Sequence, residues 1–428
     1  MKNYMITGGE LITSGGPVPN EGLMIMRGKI ALPGAMNPDS IYAGLSCSLN
    51  FLSGPNGGSG AQAKNACASP SPGLTRLPAD APSYETINAE GLYISPGFID
   101  LHMHGGGGFD TSEGNTTSLR KMSIYHARGG TTSFLPTIAA GPSKVMEKAL
   151  AAVSAQYLRT TRGASILGAH LEGPYLNPEK AGGQNRAYLR LPDVREMERF
   201  ISAADGCLKM VTLAPELPGA LDVIKLLNRE GIVVSAGHST ATYEQTEEAI
   251  RAGMRHAVHL FNASAPLHHR NPGLVGAVLA SREVSAEIIA DGHHLHPSML
   301  KLLREIKGKR GLVLITDAMA SAGMSDGTYR FAGQEIEVNQ GRATLKDGTL
   351  VGSTLTMSAA VRNMVLLGGL PLQEAVHMAS LNPARALGIE DQKGTIAPGM
   401  DADIVLMDRD LNIKLTMVMG EVVYSDLP

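Results

Sequence analysis

From residue 96 onward the chain alternates short apolar runs with stretches of helical periodicity, and this rhythm restricts the fold more than any other feature. A short aliphatic run followed by a helix cannot pair with its successor as a hairpin. The next strand must instead lie parallel to it, reached by a helical crossover. After a first strand ending near residue 100, the runs fall at 131–136, 165–171, 209–214, 232–237, 256–261, 286–290 and 311–316. Helical patterns lie between most of them, as at 142–157 and 243–252. Eight such strands close a (β/α)8 barrel, so the expected fold class is α/β, a TIM barrel. Residues 351–367 and 371–387 read as terminal helices.

The flanks follow a different pattern. Residues 1–30 hold short apolar runs separated by glycine turns, which read as antiparallel strands, and strand character returns at 84–87. Strand and turn patterns recur at 394–407 and 416–424. The expectation is a small β-sandwich domain built from both chain termini, with a first part at 1–95, a barrel at 96–388 and a second part at 389–428. Within the first part, 31–82 is crowded with Gly, Pro, Ser, Ala and Asn and reads as a flexible insertion.

Composition bounds the function. Hydrophobic residues make up 43% and charged residues 18% of the chain, as in a globular protein with a sizeable core. The net charge of -3 gives no support to nucleic-acid or polybasic membrane binding. Aromatics are 4% with no tryptophan, which argues against a stacking surface for bases or polymeric sugar. Cys47, Cys67 and Cys207 are odd in number and form no Cys-X-X-Cys pair, so a disulfide scaffold is not expected and a reducing compartment is. The first ten residues lack the apolar core of a signal peptide, and no apolar run is long enough to cross a bilayer. The expected location is cytoplasmic.

In an α/β barrel, chemistry sits at the C-terminal ends of the strands. Residues 93–100 read as one buried strand ending in His102 and His104, two apart and therefore on one side, before four glycines at 105–108 that can turn the chain sharply. Alone, such a pair could equally be two polar residues at the start of a loop. The other strand ends supply His170 and Glu172, His238, His259, the segment Asp291-Gly-His-His294, and Asp317. A lone His or Asp at a strand end is more often a cap. Several metal-capable groups converging on one barrel mouth point to a divalent-metal site.

Five motifs carry a family resemblance: Pro96-Gly-Phe-Ile-Asp-Leu-His-Met-His104, His170-Leu-Glu-Gly-Pro174, Ala236-Gly-His-Ser239, His259-Leu-Phe-Asn-Ala263 and Thr316-Asp-Ala318. Together they resemble the amidohydrolase superfamily and, within it, the N-acetylglucosamine-6-phosphate deacetylases. The resemblance spans the chain apart from 31–82. It implies that Glu172, His238 and His259 hold one metal, with Glu172 replacing the modified lysine of many relatives. Lys209 lies at the wrong end of its strand for that role. His102 and His104 would hold a second metal, with Glu172 bridging. Some family members lack this pair and use one metal, so occupancy by one or two remains open. Zinc, iron, cobalt or manganese would suit these ligands. Asp317, beside the metal, would act as general base and then general acid. A divalent metal lowers the pKa of water from 15.7 to roughly 7 and polarises the amide carbonyl.

On the substrate side the resemblance implies that Arg270 reaches the sugar phosphate from a neighbouring subunit, which in turn implies a homodimer or higher homo-oligomer. His294 would lie near phosphate and sugar, and the Asn262 and Ala263 backbone near the phosphate. Gln184 stands where some members have a histidine that contacts the acetyl carbonyl. His126, His256, His268, His269, His293, His296 and His377 are read as structural or surface residues, with His256 facing away from His259. The implied reaction is hydrolysis of N-acetylglucosamine 6-phosphate to glucosamine 6-phosphate and acetate, in amino-sugar catabolism. The nearest alternative is the N-acetylgalactosamine 6-phosphate epimer. More distant are a cyclic amidase of the same superfamily and a non-catalytic sugar-phosphate-binding barrel.

Overall fold

The computed structural model describes residues 2–31, 83–159 and 162–428. The expected insertion at 31–82 lies outside the described residues, except for Ala31, which ends a strand.

Eight parallel strands form the barrel: Phe98–Met103, Thr131–Ile138, Ala169–Glu172, Leu208–Leu213, Val233–Ala236, Met254–Ala257, Ser285–Ile289 and Leu312–Ile315. Neighbouring strands pair in parallel register from the first to the eighth. The ring closes through backbone bonds rather than a long ladder: Asp317 N donates to His102 O and His104 N to Ala318 O, both at 2.8 Å. Asp100 strengthens the seam. Its carboxylate accepts from the Thr316 hydroxyl at 2.6 Å and from the Thr316 and His102 amides. Burial pushes this carboxyl up to about 7.

Three strand expectations and one helix expectation need correction. Residues 93–100 are two strands, not one. Tyr93–Pro96 belongs to a six-stranded sheet of the terminal domain, and only Phe98–Met103 is in the barrel. The third barrel strand is interrupted: a short Ser165–Ile166 segment precedes Ala169–Glu172, with Gly168 between them at φ 138°. The sixth strand ends at Ala257, so His259 lies beyond it. Alternation therefore does not relate His256 to His259, and His256 points into the barrel rather than away. The second terminal helix is also divided, into Leu372–Ala379 and Leu381–Ala386, after Met357–Leu366.

The chain ends build two sheets. One orders Lys29–Ala31, Leu23–Met26, Tyr4–Thr7 and Glu85–Asn88; the other orders Glu421–Ser425, Ile413–Val418, Ile404–Met407, Tyr93–Pro96, Glu10–Thr13 and Gly16–Pro19. Their alternating apolar residues meet in a core that includes Ile6, Ile25, Ile94, Ile404 and Leu415. A third sheet, absent from the expectations, is Gly327–Phe331, Gln334–Asn339 and Arg342–Thr344. Its period-2 pattern at Gln334-Glu-Ile-Glu-Val-Asn339 is legible in the sequence. No described helix is long and apolar enough to cross a membrane.

Candidate metal centre and active site

The glycine run after the first strand does two jobs. A Cβ on Gly105 would meet Phe109 O at 2.4 Å and one on Gly106 would meet His126 Nε2 at 2.5 Å, so no side chain fits. Gly107 and Gly108 take φ of 61° and 89°, the left-handed turn that glycine adopts without strain. His126, read as structural, anchors this turn through Nε2, 2.9 Å from Gly105 O.

Four imidazoles converge on one carboxylate. Glu172 Oε1 lies 3.4 Å from His102 Nε2, 3.1 Å from His238 Nε2 and 3.0 Å from His259 Nε2; Oε2 lies 3.2 Å from His104 Nε2. Asp317 Oδ1 stands 3.6 Å from His102 Nε2 and 3.4 Å from His104 Nε2. All six residues are buried. Two overlapping groups, His102–Glu172–His259 and His102–His104–Asp317, each bring their donor atoms within 4.8 Å of one another. His238, His259 and Asp317 also hold left-handed backbone, with φ of 48°, 28° and 48°. Residues with side chains avoid that region unless the surroundings impose it, as they do at functional sites.

The donor set fits a cation. His104 Nδ1 lies 3.2 Å from Thr137 O and His238 Nδ1 2.8 Å from Lys180 O, so each ring carries its proton there and donates it to a carbonyl. In the neutral form of each ring Nε2 is then a lone pair, and it faces a carboxylate oxygen. Lone pair against lone pair repels unless a positive charge lies between them. His102 Nε2 is buried with no hydrogen-bond partner among the described residues. The electrostatics agree. Burial pushes Glu172 up, but His102 and His238 outweigh it and hold the carboxyl well below the usual range. Burial pushes His102 down, yet Glu172, Asp317 and Glu287 carry it well above its ordinary value. A centre that draws protons onto buried imidazoles is one that attracts a divalent cation.

Above this centre lies a cavity of about 640 Å³, lined by His104, Glu172, His238, His259 and Asp317 and, on its walls, by Gln184, Asn262, Ala263 and His294. His294 is oriented by Asp291, with Nδ1 2.7 Å from Oδ2. Asn262 turns its amide back to His259 O at 3.1 Å, and Ala263 has φ 49°. The three-stranded sheet roofs the cavity. Phe331 packs edge-on to His104 at 4.8 Å, and Gln334 Nε2 donates to Gly183 O at 2.8 Å.

Two expected substrate residues are paired within the chain. Gln184 Nε2 donates to Glu172 Oε2 at 2.5 Å and its Oε1 accepts from Ala140 N, so both ends of the amide are engaged within the protein. Arg270 is exposed, paired with His269 at 2.8 Å, and does not line the cavity. His170 does not join the centre either. Its ring is held by Leu101 O at 3.1 Å and the Thr212 hydroxyl at 2.8 Å, and burial lowers it to about 3.

A family model for the amidohydrolase family matches residues 93–423. The chain belongs to the amidohydrolase family. This amidohydrolase is 41% identical over 332 residues to the N-acetylglucosamine-6-phosphate deacetylase of Vibrio furnissii, covering 78% of this chain and 83% of that one. It is 40% identical over 328 residues to the N-acetylgalactosamine-6-phosphate deacetylase of Escherichia coli O157:H7, covering 77% and 87%. Among solved structures, a variant N-acetyl-D-glucosamine-6-phosphate deacetylase of Mycobacterium smegmatis, in complex with N-acetyl-D-glucosamine-6-phosphate, superposes with a TM-score of 0.83 at 31% identity, covering 99% of this chain and 100% of that one.

The sequence reading of this amidohydrolase missed Glu287, whose carboxylate lies between His102 and His256 inside the barrel. The signal was present: an acidic residue within the apolar run Ala286-Glu-Ile-Ile-Ala290. A charge inside a barrel strand must have partners.

Proposed function

We propose that this amidohydrolase deacetylates N-acetylglucosamine 6-phosphate, yielding glucosamine 6-phosphate and acetate. The observation that carries the reading is the cation-demanding ring of imidazoles around Glu172, with Asp317 beside it at the floor of the cavity. The identity to sugar-phosphate deacetylases supports the substrate class.

In this reading Glu172, His238 and His259 hold one divalent cation, and His102 and His104, with Asp317, a second beside it. Zinc, iron, cobalt and manganese all suit nitrogen and carboxylate donors of this kind. When bound, such a cation polarises an amide carbonyl and makes water a competent nucleophile near neutral pH. Asp317 takes one proton from the attacking water as its oxygen bonds to the carbonyl carbon. It then delivers that proton to the amine nitrogen as the C–N bond breaks, because an unprotonated amine is a poor leaving group. Gln184 holds Glu172 in place through its amide. His294, with Nδ1 engaged by Asp291, presents its other ring nitrogen to the sugar phosphate, beside Asn262 and Ala263. Arg270 completes the phosphate site of a neighbouring subunit, which accounts for its exposure here. The enzyme then works as a homodimer or higher homo-oligomer, and its cytoplasmic location stays with this reading.

The relative in Escherichia coli O157:H7 favours a second reading, the galacto epimer. Acetate release from both epimeric 6-phosphates by the metal-loaded protein separates the two. The gluco substrate is expected to give a kcat/KM at least about tenfold higher, equivalent to about 1.4 kcal/mol. A reversed preference transfers the assignment to the epimer, and binding without acetate release sinks both.

A further inference from the structure

Glu287 lies midway along the seventh barrel strand with its side chain inside the barrel and fully buried, and no step of the proposed reaction uses it. A lone carboxylate there would cost several kcal/mol in desolvation. Its oxygens are divided between two imidazoles. Oε2 is 2.9 Å from His102 Nδ1, and Oε1 is 3.0 Å from His256 Nε2. On the far side of His256, Nδ1 is 2.6 Å from the Ser285 hydroxyl, which stands at a groove away from the cavity that holds the metal ligands.

The proton positions follow from the partners. An ionised carboxylate only accepts, so His102 carries its proton on Nδ1 and His256 on Nε2, leaving the Ser285 hydroxyl to donate to His256 Nδ1. That leaves His102 Nε2 as the nitrogen able to offer its lone pair to a metal, and it has no hydrogen-bond partner among the described residues. The other rings are backed differently. His104 and His238 rest on neutral carbonyls, and His259 Nδ1 has no partner among the described residues. A charged acceptor behind an imidazole makes its other nitrogen a stronger donor than a carbonyl does.

We propose that Glu287, held by His256, is a positioning residue that fixes the His102 tautomer and sets how tightly the His102–His104 side of the centre binds metal. This rests on the reading of His102 and His104 as ligands of a second metal. It makes the difference between one and two bound metals depend on a residue that touches neither cation nor substrate.

The test is a titration of the full chain, stripped with a chelator, with Zn2+ against a competing indicator. Glu287→Gln keeps the shape and an acceptor but removes the charge. The wild-type chain is expected to bind two equivalents. Glu287→Gln should bind one unchanged and the other about 10–100-fold more weakly. His102→Asn should lose that same equivalent, and the double variant should be no weaker than His102→Asn alone. An unchanged second equivalent in Glu287→Gln, or additive losses in the double variant, would overturn the proposal. If His102→Asn leaves both equivalents intact, the ligand assignment itself fails and this proposal with it. Should Glu287→Gln not fold, Glu287→Asp, which keeps the charge on a shorter stem, is expected to weaken the same equivalent. Unfolding of both variants would assign the residue to the core and overturn a role at the metal.

Discussion

Two buried charge clusters in this protein each hold two carboxylates and behave oppositely. In the terminal domain, Lys393 lies 2.9 Å from Asp401 and 2.7 Å from Asp403, while Lys29 reaches Asp401 at 2.6 Å and the Met419 amide donates to Asp403. Two cations meet two anions, so the cluster is complete as it stands. Burial lowers Lys393, but Asp403 and Asp401 outweigh it and raise its pKa. At the barrel mouth, Glu172 and Asp317 face four imidazoles, two of which already donate their Nδ1–H to carbonyls. That cluster balances only when a cation enters. Burial of charge alone does not mark a functional site; burial of an incomplete set does.

Substitutions at the two clusters should therefore fail in different ways. Asp317→Asn is expected to lower kcat by about 10²–10⁴-fold while the cation at Glu172, His238 and His259 is retained and urea stability is nearly unchanged; steady-state kinetics beside metal analysis checks this. Undiminished turnover would remove Asp317 from proton transfer. Lys393→Met should do the reverse. It leaves two carboxylates short of a partner and is expected to cost about 3–5 kcal/mol of stability, measured by urea unfolding, while kcat per folded molecule stays the same. A loss of kcat with full stability would make the terminal cluster part of the active site.

A smaller effect concerns pH. Burial lowers His126 from 6.5 to about 4, partly offset by its bond to Gly105 O. The unfolded chain takes up this proton near 6.5, whereas the folded chain resists until about 4. The contribution to stability is therefore complete above pH 6.5 and is lost as pH falls through that window, up to about 3 kcal/mol. His126→Gln keeps a donor for Gly105 O but does not titrate, so its urea midpoint should lose this part of the acid dependence. An identical pH profile in the variant would exclude His126 as the cause.

Much of the barrel was legible because a parallel strand buried on both faces leaves a continuous apolar run, and eight such runs recur between helices. The sixth strand shows the limit. Val258, Leu260 and Phe261 extend the apolar run past Ala257, and the Val258 and Leu260 amides still donate to Ala236 O and Glu287 O, but the regular strand ends at Ala257 and His259 takes φ 28°. Hydropathy does not report where regular strand geometry stops. The three-stranded roof was missed for a different reason: its alternation is present, yet it interrupts the βα rhythm between the eighth strand and the terminal helices.

The candidate ligands were named from their places at strand ends, since residue type and spacing along one strand are local properties. Gln184 and Arg270 show what locality omits. Both have suitable chemistry, but one engages its amide with Glu172 and Ala140, and the other pairs with His269 and does not line the cavity of its own chain. Glu287 is the reverse case. Its place in an apolar run is odd by sequence, but only the closed barrel brings residues 102, 256 and 287 together, across 185 positions of chain. Residue order set the fold class and the inventory of donors. Which donor backs which ligand, and so which nitrogen is left for metal, depends on distances between strands remote in sequence, and those exist only once the ring has closed.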